Sequence, residues 1–369
     1  MGNLKKVLVL YVGGTIGMKR NEQGVLIPVP NAFLIEVKYH SEMHDPTLAA
    51  RYNIKLKENE LILPTRYGLD DLLYQIVEYD PLLDSSNMTP RDWDRIAKNI
   101  ESQYHSFDGF VVLHGTDTLA YTSSALSFML EGLQKPVILT GSQIPIFETR
   151  SDAKNNIISS LIIAGCYKVP EVCVLFANKL YRGNRVTKFK AMDLDAFDSP
   201  NYHSLADVGV GIELNQNYIR KIDNRVTFKV HTDLDVKVAK IAVFPTLSYD
   251  MLKSILDSSI RGLVLETYGT GNLPSQRTDL IGLLKKAVDK EILIINVTQC
   301  SRGMVGDALY ETGKIADEIG IIAGEDITGE AALAKLSYVL AIPKMTYQQR
   351  VEKMKANLRG EITIPTMAV

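Results

Sequence analysis

At 369 residues the chain exceeds what one hydrophobic core ordinarily organises, so two domains are expected. Hydrophobic residues at 46% and charged ones at 23% are the proportions of a folded globular protein, which excludes a disordered, fibrous or low-complexity chain. Lysine and arginine total 41 against 43 acidic residues, so no net positive field is present to hold nucleic acid or an anionic membrane, and the expected partner is a small molecule.

The chain opens with Lys5 and Lys6 ahead of the apolar run Val7 to Val12. This resembles the start of a secretory leader, but Gly13 and Gly14 cut the run short and Lys19, Arg20 and Glu22 follow, so it reads as a first core strand. The turn after it, GGTIG at 13–17, is either a cradle for a nucleotide phosphate or a mount for the hydroxyl of Thr15. A dinucleotide fingerprint needs G-x-G-x-x-G running into a helix. Here the first two glycines are adjacent, the next segment, MKRNEQGVLIPVP, carries a glycine and two prolines, and no G-x-x-x-x-G-K-[ST] loop occurs, which disfavours a nucleotide or NAD(P)-dependent oxidoreductase. A nucleophilic threonine needs a turn that exposes it, backbone N–H groups for an oxyanion, and a proton relay. Glycines 13, 14 and 17 provide for the first two, although a lone threonine taken by itself reads first as a turn residue whose hydroxyl bonds nearby backbone.

Next comes DSSNMTPRDW at 84–93, where Ser86 and Thr89 are possible caps and Pro90 begins a helix expected over 89–104. The strand-like run GFVVLHG at 109–115 leads into Thr116 and Asp117. These are a hydroxyl and a carboxylate, of which the acid could hold a substrate ammonium group; alternatively Asp117 or Thr118 caps the helix expected over 118–133. His114 ends an apolar strand without a G-x-S-x-G elbow anywhere, and reads as structural. KPVILTG runs into the polar loop GSQIP at 141–145, EVCVLFANKL forms another strand-like run at 171–180, and Lys188 follows in GNRVTKFK. That lysine is either a solvated surface residue or, desolvated beside Thr116, a proton shuttle.

From about 212 to 237 the pattern loosens into polar residues. Beyond it, AKIAVFPT, GLVLETYGTGN and EILIINVTQC read as buried strands, with helical patterns at 249–257, 279–288, 330–340 and 347–358. Strands alternating with helices predict an α/β fold: a larger N-terminal domain at 1–213 with a mostly parallel sheet flanked by helices, a connector at 214–236, and a smaller C-terminal α/β domain at 237–369. In such sheets ligands bind beyond the carboxyl ends of the strands, and the polar loops GGTIG, HGTDT, GSQIP, YGTGN and TQCSRG all follow strands. The three cysteines, Cys166, Cys173 and Cys300, are odd in number and lack metal-ligand spacing, which suits a reducing, cytoplasmic compartment. The glycosylation triplets at Asn87 and Asn296 carry no weight without secretion. Neither H-E-x-x-H nor C-x-x-C occurs, so no catalytic metal is expected.

Taken together, YVGGTIGM, DSSNMTPRDW, GFVVLHGTDTLAYTSSALSFML, KPVILTGSQIPI, LYRGNRVTK and SPN strongly resemble the type I, cytoplasmic L-asparaginases, and YGTGN, NVTQC and LRGE extend the resemblance through the smaller domain. It implies hydrolysis of L-asparagine to L-aspartate and ammonia without a cofactor, with Thr15 as nucleophile and an acyl-enzyme ester. It further implies that Thr116 and Lys188 handle the water and proton traffic, that Asp117 takes the substrate ammonium, and that Asp84, Ser85 and Ser86 hold its α-groups. One departure is Val25, which stands where many relatives carry a loop tyrosine; Tyr310 in LYETGK is the candidate replacement. The resemblance also implies a homo-oligomer, a dimer or dimer of dimers, with Asn272 reaching a neighbouring site. At Cys300 it implies a second, allosteric asparagine pocket, against the alternative of a buried small apolar residue. A glutaminase-asparaginase of mixed specificity and a non-enzymatic amino-acid sensor on the same fold are the competing functions.

Overall fold

The computed structural model of the chain describes residues 4–65, 69–306 and 311–363, those at 311–313 by their backbone. It divides into two compact units: Met1–Ser199 with His203–Val230, and Pro200–Tyr202 with His231–Val369. The change-over at Val230 and His231 falls inside the expected connector, and residues 214–230 pack with the first unit.

The first unit is built on a nine-stranded sheet of β1 (Lys5–Gly13), β2 (Glu60–Leu63), β3 (Leu72–Leu83), β4 (Gly109–Leu113), β5 (Val137–Thr140), β6 (Val172–Phe176), β7 (Lys179–Arg182), β8 (Ala206–Val208) and β9 (Ile212–Leu214). Their spatial order is β9-β8-β7-β6-β5-β4-β1-β3-β2. The five central strands, β3, β1, β4, β5 and β6, run parallel, and the outer strands are antiparallel. A strand buried on both faces needs a continuous apolar run instead of an alternation, and no residue from Val7 to Val12 exceeds 2% exposure. The helices α1 (Pro90–Gln103), α2 (Leu119–Met129) and α3 (Ala153–Cys166) cover this sheet. α1 starts where the sequence indicates: Thr89 and Asp92 form a reciprocal capping box, and Pro90 occupies the first turn.

β1 lies between β3 and β4, so the chain moves to one side of β1 and then crosses to the other. At such a reversal an open α/β sheet offers a ligand site beyond the carboxyl ends of its strands, here the end of β1.

Two elements exceed the sequence expectation, the twelve-residue strand β3 and helix α3. The run at 171–180 is also not one strand. It splits into β6 and β7 around Ala177 (φ 46°) and Asn178 (φ 65°), a two-residue hairpin turn with both central residues left-handed.

The second unit is a parallel four-stranded sheet, β10 (Val238–Ala242), β11 (Gly262–Thr267), β12 (Leu293–Thr298) and β13 (Ile322–Ala323), in that order. Its helices include α4 (Tyr249–Leu256), α5 (Thr278–Asp289), α6 (Gly329–Ala341) and α7 (Tyr347–Lys355). The starts of α4, α6 and α7 are fixed by Ser248, Thr328 and Thr346, whose hydroxyls accept from backbone N–H groups at 3.2 Å. Leu252, Leu263, Leu265, Leu280, Leu284 and Ile294 pack one face of this sheet into a core. Deep in the unit, Lys335 Nζ meets Glu361 Oε1 at 2.7 Å with both side chains wholly buried, and Leu358 N and Arg359 N donate to the same carboxylate. The LRGE stretch is therefore a structural clasp.

Candidate active site

The two glycines of the first loop are there for close approach. Gly13 (φ 141°) and Gly14 (φ 91°) both adopt left-handed backbone. A Cβ on Gly13 would lie 2.1 Å from the Leu83 carbonyl oxygen, and one on Gly14 would lie 2.4 Å from both Cα and N of Gly115. Gly14 N donates to Leu83 O at 3.1 Å. The loops after β1, β3 and β4 are thus pressed together backbone to backbone, an arrangement that any side chain at 13 or 14 would break.

Thr15 begins a short 3-10 turn, Thr15–Gly17, and is half-buried. The Gly14 amide is committed to Leu83 and the Gly17 amide to Gly14 O, which leaves the amides of Thr15 and Ile16 at the mouth of the turn. Among the described residues no protein group bonds the Thr15 hydroxyl.

On the neighbouring loop Thr116 is nearly buried at 7% exposure, while the Asp117 carboxylate is open to solvent. Lys188 Nζ donates to Thr116 Oγ1 at 2.9 Å and to Asp117 Oδ1 at 2.7 Å. Lys188 is therefore not a free surface lysine. Nor does Asp117 cap α2: the N-cap is Thr118, and its hydroxyl donates to Ser85 O at 2.7 Å instead of capping. That bond ties the β3 loop to the β4 loop. Ser85 itself is buried, its Oγ 2.5 Å from where a Cβ on Gly115 would stand. Asp84 caps its own turn, accepting from Ser86 N and Ser86 Oγ at 3.0 Å each.

Behind these groups the support is neutral. His114 is fully buried, with Nδ1 2.6 Å from Gly115 O and Nε2 2.9 Å from Thr122 Oγ1, which in turn accepts from Trp93 Nε1 at 3.0 Å. Facing a carbonyl, Nδ1 carries the proton. Burial pushes the imidazole down to about 4, so it stays uncharged near neutral pH, the structural role read from the sequence.

The β5 loop contributes Gln143. Its main-chain N donates to Asp152 Oδ2 at 3.1 Å, and its Nε2 donates to Ala191 O at 3.1 Å and Asp193 O at 2.9 Å. Its Oε1 lies 3.5 Å from Thr116 Oγ1. The sequence reading marked this loop as polar but singled out no residue in it. Tyr11 was missed as well, because its signal merges with the apolar strand. Its phenol is wholly buried, packs tilted against Phe33 at 4.6 Å between ring centroids, and sits against Gly17, where a Cβ would stand 2.1 Å from the phenolic oxygen. Burial, and then the Glu78 carboxylate, raise its pKa far above the ordinary tyrosine value, so it remains a neutral wedge beneath the Thr15 turn.

Val25 is exposed at the tip of the hairpin joining Met18–Arg20 to Leu26–Pro28. Its backbone pairs with Asn21. The hairpin is tethered to the loop after β5 by Arg20 Nε to Glu148 Oε1 at 2.9 Å and by Lys19 4.2 Å above the Phe147 ring. Tyr310 lies outside the described residues.

Asn272 and Cys300 belong to the second unit. Asn272 closes a tight turn by donating its N–H to Tyr268 O at 2.8 Å. Cys300 is exposed, which corrects the alternative of a buried apolar residue. Among the described residues no group of three His, Cys, Asp or Glu side chains stands together that could hold a metal ion, and no helix is long and apolar enough to cross a membrane.

Residues 6–220 match the family model "Asparaginase, N-terminal", and residues 237–354 match "Glutaminase/Asparaginase C-terminal domain". The chain is 46% identical over 359 residues to an L-asparaginase of Dirofilaria immitis, covering 97% of this chain and 60% of that protein. It is 41% identical over 369 residues to a 60 kDa lysophospholipase of Mus musculus, covering 100% of this chain and 64% of that protein. The chain therefore spans less than two thirds of the length of both relatives. The crystal structure of L-asparaginase I from Vibrio cholerae superposes with a TM-score of 0.84 at 38% identity, covering 98% of this chain and 100% of that one.

Proposed function

Because the chain belongs to the asparaginase family, we propose that it is a cofactor-free amidohydrolase that converts L-asparagine to L-aspartate and ammonia. The observation that carries this reading is the Lys188 ammonium bonded to Thr116 and Asp117 on a loop whose Gly115 is pressed against Gly14, the residue before Thr15. It supports a nucleophile and a proton relay converging at the crevice beside β1.

In this reading Thr15 Oγ1 attacks the side-chain amide carbon and loses its proton, through the relay, to the departing nitrogen. Ammonia leaves, and an ester links Thr15 to the aspartyl group. Water, aligned by Thr116 with Lys188 as proton carrier, then cleaves the ester, releasing aspartate and restoring the hydroxyl. The free amides of Thr15 and Ile16 are suited to the developing oxyanion. An α-amino acid brings one positive and one negative group, and pinning both while the amide is presented is what makes the attack effectively unimolecular. Asp117, open to solvent on its outer side, takes the ammonium, and the Asp84, Ser85 and Ser86 turn holds the remaining α-groups. Tyr310 as a phenolic partner of Thr15, Asn272 at a neighbouring subunit's site, an allosteric pocket at Cys300, a dimer or dimer of dimers, and a cytoplasmic location belong to the same reading.

A second specificity is favoured by one observation, the family model of the second unit, which takes in glutaminases as well. One methylene is worth only about 1–3 kcal/mol of discrimination, so mixed activity is the natural competitor. The sensor reading requires loss of nucleophile or relay, and both Thr15 and Lys188 are present. The test is ammonia release from L-asparagine with L-glutamine in parallel and Thr15→Ala as the control. Release from asparagine that disappears in the variant is expected; folded wild-type protein silent on both amides would overturn the proposal.

A further inference from the structure

The hairpin at 18–28 leaves and rejoins the fold over two neighbouring side chains. Tyr11 on β1 and Glu78 on β3 are register partners in parallel strands, so both leave the sheet on the same face. At the entry to the hairpin, Gly17 lies on the Tyr11 phenol, where a Cβ would stand 2.1 Å from Oη and 3.3 Å from Phe33 Cδ2. At its exit, Asn31 N donates to Glu78 Oε1 at 2.7 Å, and the left-handed backbone of Asn31 (φ 62°) turns the chain into the helix Ala32–Tyr39. Phe33 of that helix packs against Tyr11, so entry and exit meet on one ring.

Both residues have a polar atom left over. Among the described residues, Tyr11 Oη and Glu78 Oε2 are shut off from solvent and neither bonds a protein group. One is an O–H donor and the other an acceptor, and the Glu78 carboxylate acts electrostatically on the phenol. A buried donor and a buried acceptor kept apart each carry a desolvation penalty, which pairing them removes.

We propose that Glu78 is a positioning residue for the reaction: Oε1 holds the exit of the hairpin at Asn31, and Oε2 takes the Tyr11 proton, directly or through one water, fixing the phenol beneath the Thr15 turn. This deepens the amidohydrolase reading and rests on it. Neither side chain bonds the Thr15 hydroxyl. They act through Gly17, which sets how far that hydroxyl stands out from the turn, a distance to which attack on an amide carbon is sensitive.

The test uses the full chain with Tyr11→Phe, Glu78→Gln and the double variant. Tyr11→Phe removes only the hydroxyl. Glu78→Gln keeps an acceptor for Asn31 but turns a donor toward the phenol. Each single change lowers the urea midpoint and lowers kcat about fivefold, with KM changed less than about twofold. The double variant is no worse than the poorer single one, since both changes break one interaction. The Asn31 amide exchanges hydrogen at the wild-type rate in Glu78→Gln and faster in Glu78→Leu, while unchanged exchange over β4 and β5 shows that the fold persists. A midpoint unchanged or raised in Tyr11→Phe is the behaviour of a phenol without an acceptor and overturns the pairing, as do additive losses in the double variant. Unchanged Asn31 exchange in Glu78→Leu overturns the anchor. A wild-type kcat in either single variant, or a loss carried by KM, overturns the positioning role. If wild-type protein releases no ammonia from either amide, the amidohydrolase reading falls and takes the rate argument with it. The Tyr11→Phe midpoint then decides the pairing: a lower one upholds it and an equal or higher one overturns it.

Discussion

Gly14→Ala is the most direct test of whether backbone contact between loops builds this site. The added Cβ would stand 2.4 Å from Gly115 Cα and N and 2.8 Å from His114 C, all backbone atoms with no side chain to swing aside. Ordinary contact begins at 3.4 Å, so the Thr15 loop and the Thr116 loop must part by about 1 Å. Alanine at a left-handed φ adds ~1–2 kcal/mol of strain, and forcing atoms into a packed region costs ~1–3 kcal/mol, so the expected destabilisation is ~2–5 kcal/mol. A displacement of that size between the proposed nucleophile and its proposed relay costs about 10²-fold in rate. The control is Gly24→Ala in the hairpin, where φ is 78° but nothing lies within 4 Å of the new Cβ. It carries the strain alone, ~1–2 kcal/mol, with kcat/KM within a few fold of wild type. Urea unfolding read by fluorescence and ammonia release together measure both quantities. If Gly14→Ala matched Gly24→Ala in both, the close approach of the loops would not be what the paired glycines provide.

The buried imidazole of His114 sets a pH dependence. With its pKa pushed from 6.5 to about 4 in the folded state, the unfolded chain binds the extra proton first, so the stability due to neutral His114 is complete above about 6.5 and lost as pH falls toward 4. At full extent this amounts to ~3 kcal/mol, and the slope of unfolding free energy against pH in that window shrinks in His114→Gln. Thiol labelling of the native protein is expected to modify Cys300 quickly, Cys166 slowly because burial raises it to about 11, and Cys173 only on unfolding; rapid loss of three thiols would contradict the burial described. Lys335→Met strands the Glu361 carboxylate in the core and is expected to cost ~3–5 kcal/mol, with Lys335→Met combined with Glu361→Gln recovering part of it in the same urea assay.

The α/β architecture was legible because its signals are local. Val7 to Val12 is apolar without alternation as a doubly covered strand must be, and Thr89 and Pro90 mark a helix start. β3 was not, since LLYQIVEYDPLL carries glutamine, glutamate, aspartate and proline, and its pairing with β1 comes from tertiary packing. The hairpin at Ala177 and Asn178 was hidden by an alanine at positive φ, which propensity does not anticipate. For the site, Thr15, Thr116 and Asp117 lie at the ends of recognisable strands. Lys188 was identified only by motif order, because a lysine 71 positions from its carboxylate partner carries no local signal. Gln143 was invisible for the same reason: its partners are main-chain carbonyls 48 and 50 positions away.

The adjacent glycines distinguish this turn from a phosphate cradle in physical terms. A phosphate loop leaves its amides pointing outward at a ligand and runs into a helix long enough to present a dipole. Here the Gly14 amide points inward to Leu83, and the helical turn ends after three residues at Gly17, where the Tyr11 phenol occupies the space a side chain would need. The loop is therefore shaped to be held by its neighbours. Holding it from β3 and β4 at once is possible only where β1 separates two strands reached in opposite directions, and Lys188 and Gln143 both reach Thr116 on the β4 loop. A loop fixed by backbone contact on two sides needs little reorganisation when a substrate arrives, and in the proposed amidohydrolase reading this preorganisation is where an acyl-transfer site gains most of its rate.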